Sequence, residues 1–198
     1  EAVFIDRVMT QIVADFPALK IVFEHITTAD AAQFVDASGD NIAATITPHH
    51  LAFNRNAIFQ GGIRPHYYCL PVAKREKHRL ALRKAATSGS TKYFLGTDSA
   101  PHLIGDKEDA CGCAGLFNAP YALESYAQTF DEEDACDKLE AFASENGPSF
   151  YGLPLNEKRV VLEKTDNRAI NEIETSGGPV LPFLAGETLS WKFAGFEH

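Results

Sequence analysis

The sequence predicts an α/β protein that contributes part of a parallel sheet or barrel. Helix-type and strand-type patterns alternate three times along the chain, and long loops recur on one side of the predicted strands. The predicted strands are Ile21–Phe23, Ile42–Ile46 and residues 92–95. Because three strands cannot close a barrel, the chain accounts for only part of such a fold.

The first elements follow from apolar spacing and from residues that begin or end helices. Apolar residues from Phe4 to Ile12 recur at helical spacing until Pro17, which ends the first helix. Thr28 suits the N-cap of a second helix, and Gly39 lies just past the end of that helix. Each helix is then followed by one of the short strands, which are rich in β-branched residues.

The middle of the chain is predicted to be mainly helical. A charged helix is expected at 75–87, where Gly89 ends it and the third strand follows. Further along, apolar residues at helical spacing, among them Tyr126 and Phe130, predict helices that cover the sheet and place these rings in the core. The sequence Asn146-Gly147-Pro148 is expected to break this helical stretch.

The end of the chain has a different pattern. Strand-like stretches at 160–162 and 189–193, together with a turn at Gly177-Gly178-Pro179, are expected to form short strands that pack beside the main fold. We therefore expect residues 1–150 to form part of a barrel domain, and residues 151–198 to form a C-terminal extension packed on it.

Composition limits the classes of function. The 198 residues are 45% hydrophobic and 23% charged, which suits a globular domain. With 27 acidic and 18 basic residues, the formal charge of -9 argues against nucleic acid and anionic membranes as partners, because both bind basic surfaces. A small soluble substrate fits this charge better.

Targeting features and cysteine usage give further expectations. No apolar run reaches about 18 residues and no signal-peptide pattern is apparent, so the cytoplasm is the expected location. The four cysteines are unevenly placed, so reduced thiols are expected. The chain opens at Glu1 without a methionine and enters a helix directly, which leads us to expect a missing upstream part.

A carboxylate follows the third predicted strand. In Leu95-Gly96-Thr97-Asp98 an apolar run ends in an acidic residue, at the end of the strand where barrel enzymes carry their chemistry. Burying an ionised carboxylate without a counter-charge costs several kcal/mol, which a bound metal ion would offset. The alternative is a turn or N-cap aspartate that accepts hydrogen bonds from the amides near Ser99 and Ala100.

Histidines provide the second metal-type feature. His25 follows the first strand, where a neutral imidazole is either a ligand of a divalent transition metal or a hydrogen-bonded structural group. Two such residues at strand ends of one sheet favour a metal site shared by His25 and Asp98. His49 and His50 are adjacent, so their side chains point differently and make a poor chelate. We expect this pair on a surface loop.

A cysteine-containing loop lies beyond the third strand. Cys111-Gly112-Cys113 lacks the second matched pair that a structural zinc site requires. The small residues Gly112, Ala114 and Gly115 instead predict a loop that passes close to a bound ligand, with backbone groups making the contacts. The two thiols are then expected to be oxidation-sensitive bystanders.

Several longer motifs occur in one order along the chain and are more specific together than any one of them alone. They are Phe23-Glu24-His25-Ile26-Thr27-Thr28, Ile46-Thr47-Pro48-His49-His50-Leu51, Arg64-Pro65-His66-Tyr67-Tyr68-Cys69-Leu70-Pro71, the segments 95–102 and 111–115, Phe117-Asn118-Ala119-Pro120 and Phe183-Leu184-Ala185-Gly186-Glu187-Thr188. In these motifs, and over nearly its whole length, the chain resembles dihydroorotases of the short bacterial type.

The resemblance implies a (β/α)₈ TIM-barrel amidohydrolase with two zinc ions, of which this chain would supply about the last three βα units. Such an enzyme interconverts N-carbamoyl-L-aspartate and L-dihydroorotate in pyrimidine synthesis and is expected to be a homodimer. By the same resemblance, His25 would bind one zinc, and Asp98 would bind the other and shuttle the proton. Leu70 and Ala114 would contact the substrate ring through backbone groups, and His102 would bind the substrate carboxylate.

The sequence departs from the family pattern in its metal ligands. A His-x-His pair, a carboxylated lysine and a further histidine have no counterpart here, and a catalytic zinc usually has about three protein ligands. The isolated chain is therefore expected to be inactive. It is either the C-terminal half of a working dihydroorotase, with the N-terminal half as companion, or a non-catalytic dihydroorotase-like partner or scaffold. A different metal-dependent cyclic amidohydrolase is a third alternative.

Overall fold

Three parallel strands form the central sheet of the protein, whose computed structural model describes residues 1–197. The strands are β1 (Ile21–Phe23), β2 (Ile42–Ile46) and β3 (Tyr93–Leu95), with β2 in the middle. Ile21 pairs with Ile42, and Ala44 pairs with Tyr93. The predicted parallel α/β arrangement is confirmed.

Helices connect and cover the strands. The α-helices are α1 (Ala2–Phe4), α2 (Thr10–Asp15), α3 (Ala29–Ala37), α4 (Pro48–Ala52), α5 (Glu76–Ala86), α6 (Ile104–Lys107), α7 (Ala122–Glu132) and α8 (Asn146–Tyr151). Two π-helical stretches, Ile5–Met9 and Ala141–Glu145, join α1 to α2 and lead into α8. Short 3₁₀ turns lie at Arg55–Phe59, Pro65–Tyr67, Ala119–Tyr121 and Cys136–Lys138.

The core lies between the sheet and the helices. All five residues of β2 are buried, as expected for the central strand of a parallel sheet covered on both faces. Tyr126 and Phe130 of α7 are completely buried, which confirms their predicted place in the core. The Thr28 side chain accepts a hydrogen bond from the amide of Ala31, so the predicted N-cap of α3 is also confirmed.

The predicted break at Asn146-Gly147-Pro148 is wrong, because α8 begins there and continues to Tyr151. Pro148 is the third residue of α8, which continues directly from the π-helical stretch Ala141–Glu145, and the Asn146 amide bonds back to the carbonyl of Ala141. This π-helical turn shifts the hydrogen bonds from residue i−4 to residue i−5 just before the proline, which has no N–H to donate. Asn146 donates from its side chain to the carbonyl of Tyr93 at 2.9 Å, which fixes the start of α8 against β3. The helix ends at Gly152, which has a left-handed conformation.

The C-terminal part consists of antiparallel hairpins. The strands are β4 (Val160–Arg168), β5 (Ile173–Thr175), β6 (Gly178–Val180) and β7 (Thr188–Phe196), with β4 paired to β7 and β5 paired to β6. The strands β4 and β7 are longer than predicted, with nine residues each. Glu124 and Gln128 of α7 accept hydrogen bonds from amides of β7, which attaches the hairpin to the helical layer.

Both outer strands of the central sheet are open. Within residues 1–197, β1 and β3 each pair only with β2. Large apolar side chains of the helical segment that precedes β1 are exposed, including Val3 at 63% and Phe16 at 60%. A single barrel wall has these properties, because closing a barrel gives every strand two neighbours. No helix of the described residues is both long and apolar enough to span a bilayer.

Candidate active site

His25 and Asp98 lie just past the carboxyl ends of β1 and β3. Because the strands are parallel, these two strand ends lie at the same end of the sheet. Both residues have positive φ angles, 56° for His25 and 46° for Asp98. L-residues rarely adopt this conformation, and its cost of about 1–3 kcal/mol is a feature of functional sites. The backbone thus turns sharply at the two positions predicted to carry metal ligands.

Thr45 and Gly96 hold the two turns together. The Thr45 hydroxyl accepts a hydrogen bond from the His25 amide at 2.7 Å and lies 3.4 Å from His25 Nδ1. A Cβ atom at position 96 would lie only 2.6 Å from Cβ of Thr45, so glycine is required for this close approach. His25 Nε2 lies 3.5 Å from a carboxylate oxygen of Glu24, and the imidazole is 21% exposed. The His25 ring therefore remains accessible from solvent.

The Asp98 carboxylate is not used in a turn or an N-cap. The amide of Ala100 donates instead to the carbonyl of Leu116 at 2.9 Å, and within residues 1–197 the Asp98 side chain has no hydrogen-bond partner. The carboxylate is near the buried thiol of Cys69, whose pKa is raised to about 11 by burial and, secondarily, by the negative charge of Asp98. Both carboxylate oxygens of Asp98 are thus left for a ligand.

The prediction that His49 and His50 lie on a surface loop is wrong. Both belong to α4, directly after β2, and both are buried, with 0% and 2% exposure. Thr47 caps this helix by accepting a hydrogen bond from the His50 amide, and Pro48 suits its first turn. The sequence reading missed this short helix, although Thr47-Pro48 is a recognised pattern for a helix start.

His49, His50 and Cys69 form a buried cluster whose candidate ligand atoms all lie within 4.8 Å of one another. Both ring nitrogens of His50 have a hydrogen-bond partner at 2.8 Å. Nδ1 contacts Thr47 Oγ1, and Nε2 contacts the carbonyl of Pro71. The pKa of His50 is lowered to about 4, mainly because burial disfavours its charged form. Both His50 nitrogens are therefore already occupied within the protein.

The hydrogen bonds of Asn118 determine the tautomer of His49. The Asn118 amide nitrogen contacts the carbonyl of Thr97, so it is a donor, and it also donates to His49 Nδ1 at 3.1 Å. The His49 proton then resides on Nε2, which has no partner among the described residues. An imidazole in this tautomer offers a metal no lone pair at Nε2. The donor chemistry of the cluster therefore fits zinc poorly, and we assign it a structural role.

The predicted substrate contacts lie on two loops that touch. His102 Nε2 lies 3.0 Å from the carbonyl of Ala114, and the amide of Gly115 donates to the carbonyl of Tyr68 at 3.0 Å. Leu70 is 61% exposed. In the described residues, the amide of Ala114 and both backbone polar groups of Leu70 have no hydrogen-bond partner.

A narrow cleft adjoins these loops, with a volume of about 10 Å³. It is lined by His66, Ala100, His102, Lys107, Gly115, Leu116, Phe117, Leu181 and Phe183. Sequence reasoning did not single out His66 or Lys107 as functional residues. The sequence around Lys107 has no pattern that predicts burial of a lysine. Only the fold shows that Lys107 is buried, with 3% exposure.

Comparison with known proteins identifies relatives along nearly the whole chain. A dihydroorotase of Novosphingobium aromaticivorans is 65% identical over 194 residues, which is 98% of this chain and 56% of that protein. A dihydroorotase of Erythrobacter litoralis is 63% identical over 192 residues. The chain thus spans about half the length of the curated relatives it matches. No family model matches the sequence.

Solved structures agree with these relatives. A dihydroorotase of Campylobacter jejuni superimposes with a TM-score of 0.85 and 34% identity, covering 97% of this chain and 55% of that one. A dihydroorotase of Saccharomyces cerevisiae, solved in complex with 5-fluoroorotic acid, gives a TM-score of 0.86 and 31% identity over 98% of this chain and 58% of that one. An L-hydantoinase of Arthrobacter aurescens, 13% identical with a TM-score of 0.76, shares the fold over 95% of this chain and 45% of its own.

Proposed function

This chain belongs to the dihydroorotase family, and we propose that it supplies part of the active site of a dihydroorotase in de novo pyrimidine biosynthesis. The reaction is the reversible hydrolysis of L-dihydroorotate to N-carbamoyl-L-aspartate. The observation that supports the proposal most is the pair His25 and Asp98, which project from strand ends in strained conformations with metal-binding atoms free. The histidines that follow the strand between them are, by contrast, buried and hydrogen-bonded.

His25 and Asp98 are the residues of this chain that would hold zinc. An imidazole nitrogen and a carboxylate are both common zinc donors. Within residues 1–197 the Asp98 oxygens have no hydrogen-bond partner, and His25 Nε2 has only the exposed Glu24 carboxylate beside it, at 3.5 Å. When bound, a zinc pair supplies a water that is deprotonated near neutral pH and a polarised amide carbonyl. Two donors are fewer than a catalytic zinc site usually has, so the remaining ligands come from outside this chain.

Asp98 carries the proton in this proposal. As the oxygen of water forms a bond to the ring carbonyl carbon, the carboxylate accepts the proton that this water releases. The same proton then passes to the ring nitrogen as the carbon–nitrogen bond breaks, and the second proton of the water is lost to solvent when the new carboxyl group ionises, which leaves a carboxylate and a carbamoyl group. The reverse sequence closes the ring, so one carboxylate serves both directions.

Leu70, Ala114 and His102 are proposed to bind the substrate. The free amide of Ala114 and the free polar groups of Leu70 can form hydrogen bonds with the ring carbonyl and N–H groups. With a proton on both ring nitrogens, the His102 imidazole would donate twice, to the Ala114 carbonyl through Nε2 and to the substrate carboxylate through Nδ1. His102 in this form pairs a positive charge with the negative charge of the substrate.

The proposed companion is the rest of the same enzyme. Further barrel strands would pair with the open edges of β1 and β3. Further barrel elements would also cover the exposed apolar residues of the helical segment that precedes β1. We further propose that the complete enzyme is a cytoplasmic homodimer. These assignments rest on the family and on the open edges of the sheet.

The test is hydrolysis of L-dihydroorotate, followed by ultraviolet absorbance, with the complete enzyme and with this chain alone, each with added zinc. We expect turnover by the complete enzyme and none by the isolated chain. Turnover of hydantoins but not of dihydroorotate would indicate a different cyclic amidohydrolase. A folded, zinc-loaded complete protein that hydrolyses neither would be the non-catalytic homologue, and the proposal would be wrong.

A further inference from the structure

Lys107 is a buried lysine whose three donors are all bonded to backbone carbonyls. Its amino group lies 2.8 Å from the Tyr68 oxygen, 2.8 Å from the Cys113 oxygen and 2.7 Å from the Gly115 oxygen. An ammonium group has exactly three N–H bonds, so none is left for a carboxylate or a ligand. Hydrogen bonds from a charged donor are about twice as strong as neutral ones.

The three carbonyls belong to two separate loops. Tyr68 lies two residues before Leu70, and Cys113 and Gly115 flank Ala114. We call Lys107 and these three carbonyls the clasp. It is reinforced by the Gly115 amide, which also donates to the carbonyl of Tyr68, and by a hydrogen bond of 2.9 Å from His66 Nε2 to Glu108 Oε1. Adjacent residues of α6 and the turn that follows therefore hold the same two loops.

The clasp also fixes His102. Its Nε2 contacts the Ala114 carbonyl at 3.0 Å, and a Cβ atom at Gly115 would lie only 2.8 Å from that nitrogen. Gly115 has a φ of 150°, which few other residues adopt at low cost. A shift of the loop at 113–115 would therefore move Leu70, Ala114 and His102 relative to one another.

We propose that Lys107 is a positioning residue for substrate binding, which holds the backbone of Leu70 and Ala114 and the imidazole of His102 in one arrangement. This inference rests on the proposed function, because those three groups are its proposed substrate contacts. Lys107 itself touches no substrate. Its loss should weaken binding more than it slows the chemistry, since none of the clasp's hydrogen bonds is made to His25 or Asp98.

The experiment compares steady-state kinetics of the complete enzyme with those of Lys107→Met, which keeps the length of the side chain and removes its charge and donors. Lys84→Met, on the exposed side of α5, is the matched control. Because a misplaced binding group can cost up to about 100-fold, we expect KM for dihydroorotate to rise by about 10-fold to 100-fold in Lys107→Met, with a smaller change in kcat per bound zinc. Amide hydrogen exchange at 113–115 should increase in the same variant.

A second variant covers the case in which Lys107→Met does not fold. Glu108→Ala removes the exposed acceptor of the reinforcing His66–Glu108 hydrogen bond, and we expect a rise in KM of a few-fold with unchanged zinc content. If the wild-type enzyme is active and folded Lys107→Met has an unchanged KM, the inference is wrong and the proposed function stands. If Lys107→Met does not fold and Glu108→Ala has a wild-type KM, the inference is also wrong. An inactive wild-type enzyme would overturn the proposed function and this inference with it.

Discussion

The ends of β1 and β3 differ sharply from the segment that follows β2, although all three carry residues able to bind a metal. His25 and Asp98 are partly exposed, have positive φ angles, and retain free nitrogen or oxygen atoms. His49 and His50, after β2, are buried, and three of their four ring nitrogens have hydrogen-bond partners. The comparison teaches that residue type at a strand end is not sufficient to identify a metal ligand, because the fold decides which donor atoms already have hydrogen-bond partners.

The largest expected effect is on turnover when Asp98 loses its ability to accept a proton. Asn is compatible with the left-handed conformation at this position, so Asp98→Asn should fold normally in the complete enzyme. Because general acid–base catalysis contributes about 10²-fold to 10⁴-fold, we expect kcat for dihydroorotate to fall by about 1000-fold. Steady-state kinetics with a circular dichroism check of folding measure this.

Asp134 provides the matched control for that change. It is also an aspartate with a positive φ, 53°, but it is exposed and follows α7, far along the chain from the strand ends. Asp134→Asn is expected to have wild-type kcat. Near-normal turnover of Asp98→Asn would remove Asp98 from its assigned role.

The second expected effect concerns metal content. His25→Asn removes an imidazole donor at a position where asparagine tolerates the positive φ of 56°. We expect the complete enzyme to lose about one of its two zinc ions per site, measured by elemental analysis after gel filtration. His78→Asn, which replaces a histidine that bonds the Ala29 amide, is the control and should retain both ions. Equal zinc content in the two variants would contradict the role of His25.

The third expected effect concerns His49, the buried histidine after β2, and is a loss of stability. His49→Ala leaves a cavity between His50, Phe53 and Phe183 and removes the acceptor of the Asn118 amide. We expect the complete enzyme to lose about 2–4 kcal/mol of unfolding free energy in urea, with unchanged zinc content and kcat per folded molecule. Loss of zinc at full stability would show that His49 is a ligand after all.

The fourth effect is a pH dependence of stability that arises from His50. Burial lowers its pKa to about 4 in the folded protein, from the ordinary histidine value of 6.5. The unfolded chain therefore binds a proton first as the pH falls, so stability is retained above about pH 6.5 and lost between pH 6.5 and 4. The loss amounts to about 3 kcal/mol once the pH is below 4.

His50→Gln should flatten this part of the stability profile, because glutamine does not titrate. Urea unfolding of the complete enzyme at several values of pH measures the slope. Parallel slopes for the wild type and His50→Gln between pH 6.5 and 4 would show that the buried imidazole is not the source of the acid sensitivity.

Sequence patterns predicted the elements that depend on local spacing. The strands, the Thr28 cap and the helix around Glu76–Ala86 follow from periodicity and end residues, and the structure confirms them. The predicted break at Pro148 is wrong because the helical stretch continues through the proline, directly after a π-helical turn. Local patterns therefore predict where helices occur better than where they end.

The site was predictable only in part, because the tertiary fold decides which polar side-chain atoms have hydrogen-bond partners. Their position at strand ends indicated His25 and Asp98. The structure places both residues past the carboxyl end of the sheet, with His25 Nε2 and the Asp98 oxygens outside any hydrogen bond of the described residues. Nothing local distinguished the buried His49 from a surface histidine, since its burial depends on Asn118 and Phe183. Lys107 likewise contacts the loop at Tyr68, 39 positions earlier in the sequence.

The most direct test of the comparison is the location of zinc in crystals of the complete enzyme, determined by anomalous scattering at the zinc edge. We predict density beside His25 Nε2 and the Asp98 carboxylate, and none between His49, His50 and Cys69. Density within the buried cluster, with none at the strand ends, would contradict the account, because it would mean that the hydrogen-bonded histidines bind the metal and the free ones do not.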